Sequence, residues 1–236
     1  MRAIILAGGK GMRLRPYTTL IPKPLVPLGD KYSIIEIILI QLKKQGFDRV
    51  TLAVNHFAHL ISAYFGDGSR FGIEIDYSFE DTELSTIGPL TLINDLPDQF
   101  LVMNGDVLCD LDFGKFMMDH KKSGAEITVS SYAREMKVDF GVLDVQAGQL
   151  TGFSEKPMLH YEVSMGVYCF NRTIVSDLTR GARFGFDDLM RQRIESNLPV
   201  RVQHFDGYWL DIGRPEDYEM AYENIDSFID KFGIDQ

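Results

Sequence analysis

The chain has 236 residues, 45% hydrophobic and 25% charged, an ordinary balance for a soluble globular protein and enough length for one large core. Its net charge of −10 argues against a nucleic-acid or anionic-membrane surface, but not against a local cationic pocket for a nucleotide. The two cysteines, Cys109 and Cys169, are too few for a disulfide framework; with no membrane-length apolar run and no secretory leader pattern, a cytoplasmic setting is expected.

The apolar run Ala3 to Ala7 reads as a buried strand that empties into Gly8, Gly9 and Gly11, where backbone amides can approach a polyphosphate closely. Arg13 follows within the loop, and Lys23 stands between Pro22 and Pro24, which hold it extended. Glycines that admit phosphates, with two cations in reach, indicate a nucleoside triphosphate site. It is not a Walker A loop, since Gly9-Lys10 is followed by Gly11 and Met12 and not by Ser or Thr, and Leu14 denies it a dinucleotide fingerprint.

Further along, Ile34 to Gln45 reads as a well-buried helix stopped by Gly46, Arg49 to Val54 as a strand, and Phe57 to Phe65 as a helix. Ile73 to Phe79 alternates as a strand should, and Phe100 to Met103 is a short strand that delivers Asn104-Gly105-Asp106 at its carboxyl end. Phe113 to Lys122 is amphipathic. The pattern to this point is β-α-β-α-β-α-β-α, hence an α/β fold with a Rossmann-like mixed, mainly parallel sheet and helices on both faces.

The second part is strand-rich: Ile127 to Tyr132, Val142 to Val145, Leu150 to Ser154 and Val163 to Phe170 suggest antiparallel additions to that sheet. Phe186 to Asn197 reads as a helix, Val200 to His204 as a strand, and Pro215 to Phe232 as one final amphipathic helix. The five histidines lack metal-ligand spacing, no nucleophile elbow is present, and the aromatic residues read as packing.

The glycine loop with Arg13 and the Pro-Lys-Pro around Lys23 resembles the signature of sugar-1-phosphate nucleotidylyltransferases, most closely the mannose-1-phosphate guanylyltransferase-like branch. Two further motifs, Phe153-Ser154-Glu155-Lys156-Pro157 and Tyr208-Trp209-Leu210-Asp211-Ile212-Gly213, resemble that family in the same order. The resemblance covers nearly the whole chain. It implies a single catalytic domain over residues 1–236 without a C-terminal β-helix domain, and the nucleotide-diphospho-sugar transferase fold. It also implies transfer from a nucleoside triphosphate to a sugar 1-phosphate by direct in-line displacement, with pyrophosphate released. GTP with a mannose-like or heptose-like 1-phosphate is expected; UTP, dTTP or CTP, or a catalytically weak nucleotide-binding subunit, are the alternatives.

Residue by residue, the resemblance gives Arg13, Lys23, Asp106, Lys156 and Asp211 the catalytic roles and makes Asp106 and Asp211 the ligands of Mg²⁺, which favours oxygen donors. Leu6, Ala7, Gly8, Gly9, Gly11 and Asn104 fall on the nucleotide side, with Glu80 and Gly88 in the loop that reads the base. Gly141, Glu155, Lys156 and Ser164, the last replacing a more usual Asn, fall on the sugar side. The expected partners are the two substrates, with no nucleic acid or membrane and with a homodimer left open.

Overall fold

The structure, a computed structural model, describes residues 1–232 and 234. β1 (Arg2–Leu6) is apolar throughout because both its faces are covered: Ile5 joins the core on one side of the sheet and Ile4 the core on the other. A small hairpin, β2 (Pro27–Leu28) and β3 (Tyr32–Ser33), leads into α1 (Ile34–Lys44). A capping box starts that helix, the Ser33 hydroxyl accepting from the Glu36 N–H and the Glu36 carboxylate from the Ser33 N–H. β4 (Arg49–Val54), α2 (Ala58–Phe65) and β5 (Glu74–Phe79) follow, then β6 (Gln99–Asn104), β7 (Val107–Cys109) and α3 (Phe113–Ser123). The second half runs β8 (Ile127–Lys137), β9 (Gly141–Gln146), β10 (Gln149–Glu155), β11 (Met158–Asn171), α4 (Arg172–Ser176), α5 (Phe186–Glu195), β12 (Arg201–Phe205), β13 (Trp209–Asp211), α6 (Pro215–Glu223) and α7 (Ile225–Phe232).

Seven strands form the main sheet in the order β12-β8-β11-β6-β1-β4-β5. β6, β1, β4 and β5 are mutually parallel and therefore end at one edge. α1, α2, α3, α6 and α7 pack on the face carrying Ile5, while α4, α5 and the segment around Ile87 and Leu90 cover the face carrying Ile4. This is the expected α/β architecture, mixed and mainly parallel with both faces covered.

Three expectations are corrected. Between β5 and β6 the structure has no α-helix; residues 80–98 form a loop with one 3₁₀ turn at Gly88–Leu92, where Pro89 and the glycine are poor helix formers. That loop is pinned instead to the opposite segment by Phe184, whose carbonyl accepts from the Ile87 and Gly88 N–H groups. Of the strands expected to be antiparallel additions, only β11 runs against its neighbours in the sheet; β8 lies parallel to β12, and β9 and β10 pair solely with each other as a separate hairpin. Finally, the helix expected from Pro215 to Phe232 breaks at Asn224, whose Nδ2 caps the Met220 carbonyl at 2.8 Å. The break lets Ile225 pack against Gly29, where a Cβ would come within 2.9 Å of it. Among the described residues no helix is long and apolar enough to cross a membrane.

Candidate active site

The carboxyl ends of parallel strands are where an open sheet leaves a crevice, because the connections diverge there. Here β5, β4, β1 and β6 deliver Glu80, Asn55, Gly8 and Asn104 side by side. They line a cavity of about 560 Å³ together with Leu6, Gly9, Gly11, Arg13, Lys23, Asp106 and Gly213. Gly8 is required by contact: a Cβ there would sit 2.9 Å from Glu80 Oε1 and 3.3 Å from Asn55 Cβ. Gly11 is required by conformation as well, at φ +60° with its carbonyl accepting from the Thr18 hydroxyl at 2.7 Å.

Asp106 and Asp211 are brought together by a device other than a shared edge of the main sheet. β13 pairs antiparallel with β7, setting Asp211 opposite Val107, and the Ile212 N–H donates to the Asp106 carbonyl at 2.9 Å. Lys23 is ion-paired with Asp106 through Oδ2. The remaining oxygen, Oδ1, of each aspartate is buried and has no protein partner. Burial pushes the Asp211 carboxyl above its usual range and the charge of Asp106 adds to this, while Lys23 and Arg13 pull the other way. Arg13 and Asp211 converge on Gly213, where a Cβ would lie 3.6 Å from Arg13 Nη2 and 3.5 Å from Asp211 Oδ1.

Two unpartnered, buried carboxylate oxygens next to cations are the donor set that a hard divalent ion accepts, with phosphates and water completing its shell. Among the described residues no cluster of three or more His, Cys, Asp or Glu forms a closed metal cage. The chain therefore offers a metal two carboxylates and an open side.

Glu80 lines the same cavity. Burial raises its pKa, partly offset by the Leu84 N–H that donates to Oε2 at 3.2 Å. Ala7 is buried and donates its N–H to the Ala53 carbonyl, so it supports the loop from behind. Gly88 does not line the cavity: a Cβ there would meet the Ala182 carbonyl at 2.5 Å, and its neighbours Ser85, Thr86 and Pro89 are the lining residues.

The sugar-side candidates are more dispersed. Gly141 and Glu155 face each other across the β9–β10 hairpin, and Lys156, exposed and at φ +45°, follows directly. None of the three lines the cavity. Ser164 lies at the irregularity in β11, where its hydroxyl donates to the Tyr168 hydroxyl at 3.0 Å. Burial pushes the Tyr168 hydroxyl up to about 12; the Ser164 hydrogen bond opposes this and the charges of Asp106 and Asp211 reinforce it. In the same irregularity a Cβ on Gly166 would lie 2.6 Å from Asn104 Nδ2.

Sequence reasoning missed Asn55, Lys10, Glu83 and Tyr168. Asn55 was findable, since it follows β4 as Gly8 follows β1, and its Nδ2 donates to the Glu80 carbonyl at 3.0 Å. Lys10 and Glu83 form an ion pair at 3.6 Å between two loops at the cavity, and no local pattern marks either.

The Nucleotidyl transferase family model matches residues 2–227. A UTP–glucose-1-phosphate uridylyltransferase from Synechocystis is 34% identical over 246 residues, covering 95% of this chain and 63% of the relative. Mannose-1-phosphate guanylyltransferase catalytic subunit beta from Dictyostelium discoideum is 35% identical, covering 92% of this chain and 62% of its own. The chain thus spans somewhat over three-fifths of the length of these curated relatives. The crystal structure of HddC from Yersinia pseudotuberculosis complexed with GMP-PN superposes with a TM-score of 0.71 at 25% identity, covering 95% of this chain and 99% of HddC. Taken with the glycine-loop cavity and its aspartate pair, these matches show that the chain belongs to the nucleotidyl transferase family, among relatives that include sugar-1-phosphate nucleotidyltransferases.

Proposed function

We propose that this chain joins a nucleoside triphosphate, GTP by preference, to a mannose-like or heptose-like sugar 1-phosphate and releases pyrophosphate. The observation that carries this reading is the pair of unpartnered oxygens on Asp106 and Asp211 beside Lys23 and Arg13, with Asp106 itself lining the glycine-lined cavity and Asp211 behind it next to Gly213. An oxygen of the sugar phosphate attacks the α-phosphorus as the bond from that phosphorus to the β-phosphate oxygen breaks. Such a displacement needs alignment and charge neutralisation more than covalent help, so no enzyme nucleophile is invoked. Arg13, Lys23 and the amides of Gly8, Gly9 and Gly11 hold the triphosphate. Asp106 and Asp211 would hold Mg²⁺, which supplies charge neutralisation at the phosphate oxygens when bound. Glu155 accepts from sugar hydroxyls and Lys156 pairs with the sugar phosphate, with Gly141 and Ser164 beside them.

Guanine is favoured over uracil by Glu80, a carboxylate in the cavity suited to accept from adjacent amino and imino hydrogens. The mannose-1-phosphate guanylyltransferase relative agrees with that preference, and the uridylyltransferase relative makes UTP the second reading. A pyrophosphate-release assay with Mg²⁺, crossing five nucleoside triphosphates with a panel of sugar 1-phosphates, tests it. The expected result is strongest turnover for GTP with a mannose-type sugar. A preference for UTP overturns the base assignment, and no release with any pair overturns the reaction.

A further inference from the structure

A second cationic position lies on the sugar side of the aspartate pair. Arg134 on β8 is exposed, and its guanidinium carbon stands 4.8 Å from the Trp209 ring centroid and 5.6 Å from that of Tyr132. Among the described residues it makes no ion pair, unlike Glu135 and Glu162, which pair with His160 and His204. Strand alternation puts those two pairs on the opposite face, because His160 is the register partner of Glu135 while Tyr161 is that of Arg134.

The aromatic platform is fixed in turn. The Trp209 Nε1–H donates to the Met165 carbonyl at 3.1 Å, and Tyr132 packs on the indole with ring centroids 5.2 Å apart. Stacking a guanidinium on an indole face leaves the N–H groups along its edge free for a planar anion. Trp209 and Asp211 are two residues apart on β13 and so share a face, with their Cα atoms about 6–7 Å apart. That separation is comparable with the width of a pyranose ring. A sugar whose 1-phosphate lies at Asp211 and whose ring spans that separation would turn its far substituent toward Trp209 and the guanidinium of Arg134 over it.

We infer that Arg134, presented on Trp209 and Tyr132, is a specificity-determining residue that binds a second anionic group, carboxylate or phosphate, at the end of the sugar remote from its 1-phosphate. The inference rests on the nucleotidyl-transfer reading above and adds to it the class of sugar. Its test measures kcat and KM with GTP and Mg²⁺ for three acceptors: mannose 1-phosphate, mannose 1,6-bisphosphate and mannuronic acid 1-phosphate. The wild type should favour at least one acidic acceptor by tenfold or more in kcat/KM, carried by KM; which one distinguishes phosphate from carboxylate. Arg134→Gln should erase that preference while leaving the neutral sugar within twofold, and Arg134→Lys should keep part of it. No preference for either acidic sugar in the wild type overturns the inference but leaves nucleotidyl transfer intact. Equal loss for neutral and acidic sugars in Arg134→Gln also overturns it, since Arg134 would then serve the 1-phosphate or merely prop Trp209. No turnover with any of the three, for every nucleoside triphosphate, defeats the underlying reading and this inference with it.

Discussion

Replacing Gly166 by alanine asks whether Asn104 is held in place for the reaction or merely lies along the cavity wall. Gly166 sits at φ +76°, a conformation that costs an L side chain about 1–2 kcal/mol. The added methyl would lie 2.6 Å from Asn104 Nδ2, 3.0 Å from its Cγ and 3.3 Å from Val107 Cγ2. The Asn104 amide can swing aside and Val107 can yield slightly, so the overpacking cost belongs at the low end of its range, about 1 kcal/mol. The sum, about 2–3 kcal/mol, should lower the melting temperature by about 4–12 °C in a chain of this size. If Asn104 serves the nucleotide as proposed, turnover should fall about tenfold, because its amide is displaced from the cavity wall although neither aspartate has been touched. In the Asn104→Ala background the clash is gone, so the same glycine substitution should cost only its backbone part. The double-mutant cycle should therefore show a coupling of about 1 kcal/mol. Additive costs, or a Gly166→Ala protein as stable as the wild type, would refute the packing argument.

Lys23→Met removes the cation from a pair only 13% and 23% exposed, leaving two carboxylates facing one another, and should destabilise the protein by about 3 kcal/mol. The loss should be smaller in acid, where the Asp211 carboxyl, held above its usual range by burial and by the charge of Asp106, takes up its proton and no longer repels its neighbour; urea titrations showing the same loss in acid and at neutral pH would contradict the role given to Lys23. Glu80→Gln should lower discrimination for guanine over adenine by about 1–3 kcal/mol, read from the ratio of kcat/KM for GTP and ATP. Burial holds the Glu80 carboxyl above its ordinary 4.5, so its contribution to stability is complete below that value and is lost as pH rises through the raised one. The neutral glutamine escapes that loss, and Glu80→Gln should gain stability on the wild type across the same window; a pH-independent difference in denaturation midpoints counts against it. Lys156→Ala should raise KM for the sugar phosphate about tenfold while triphosphate affinity stays within twofold, as losing one charge-assisted contact implies. Equal loss of both affinities would place Lys156 on the wrong substrate.

The parts legible in the sequence are those whose geometry is local. A run of apolar residues ending in glycines must be a strand meeting a loop, and Gly8 proves tight against Glu80 and Asn55 for the reason a glycine there suggests. Asn55 and Glu80 follow their strands in the same way, so this row of cavity residues could be read from strand ends. The helix expected from Pro215 to Phe232 failed because periodicity reports only which residues face inward. It is silent on a change of axis, and what bends this segment is Ile225 against the distant Gly29.

The aspartate pair lies between these cases, and it shows what a motif carries beyond local physics. Asp106 and Asp211 sit far apart in the chain, and the strands that join them, Val107–Cys109 and Trp209–Asp211, are three residues each. Strands that short have no period to detect, and their pairing closes a long loop whose entropy is recovered only once the main sheet has formed. Nothing local could announce it. The same small ladder also sets Asp211 and Trp209, the ring under Arg134, on one face. A change to the β7–β13 register by one residue would turn Asp211 away from Asp106 and Trp209 away from Arg134 together. On the proposed reading, metal ligation and sugar recognition would both hang on this single short piece of backbone, and a substitution that loosens it should impair both at once.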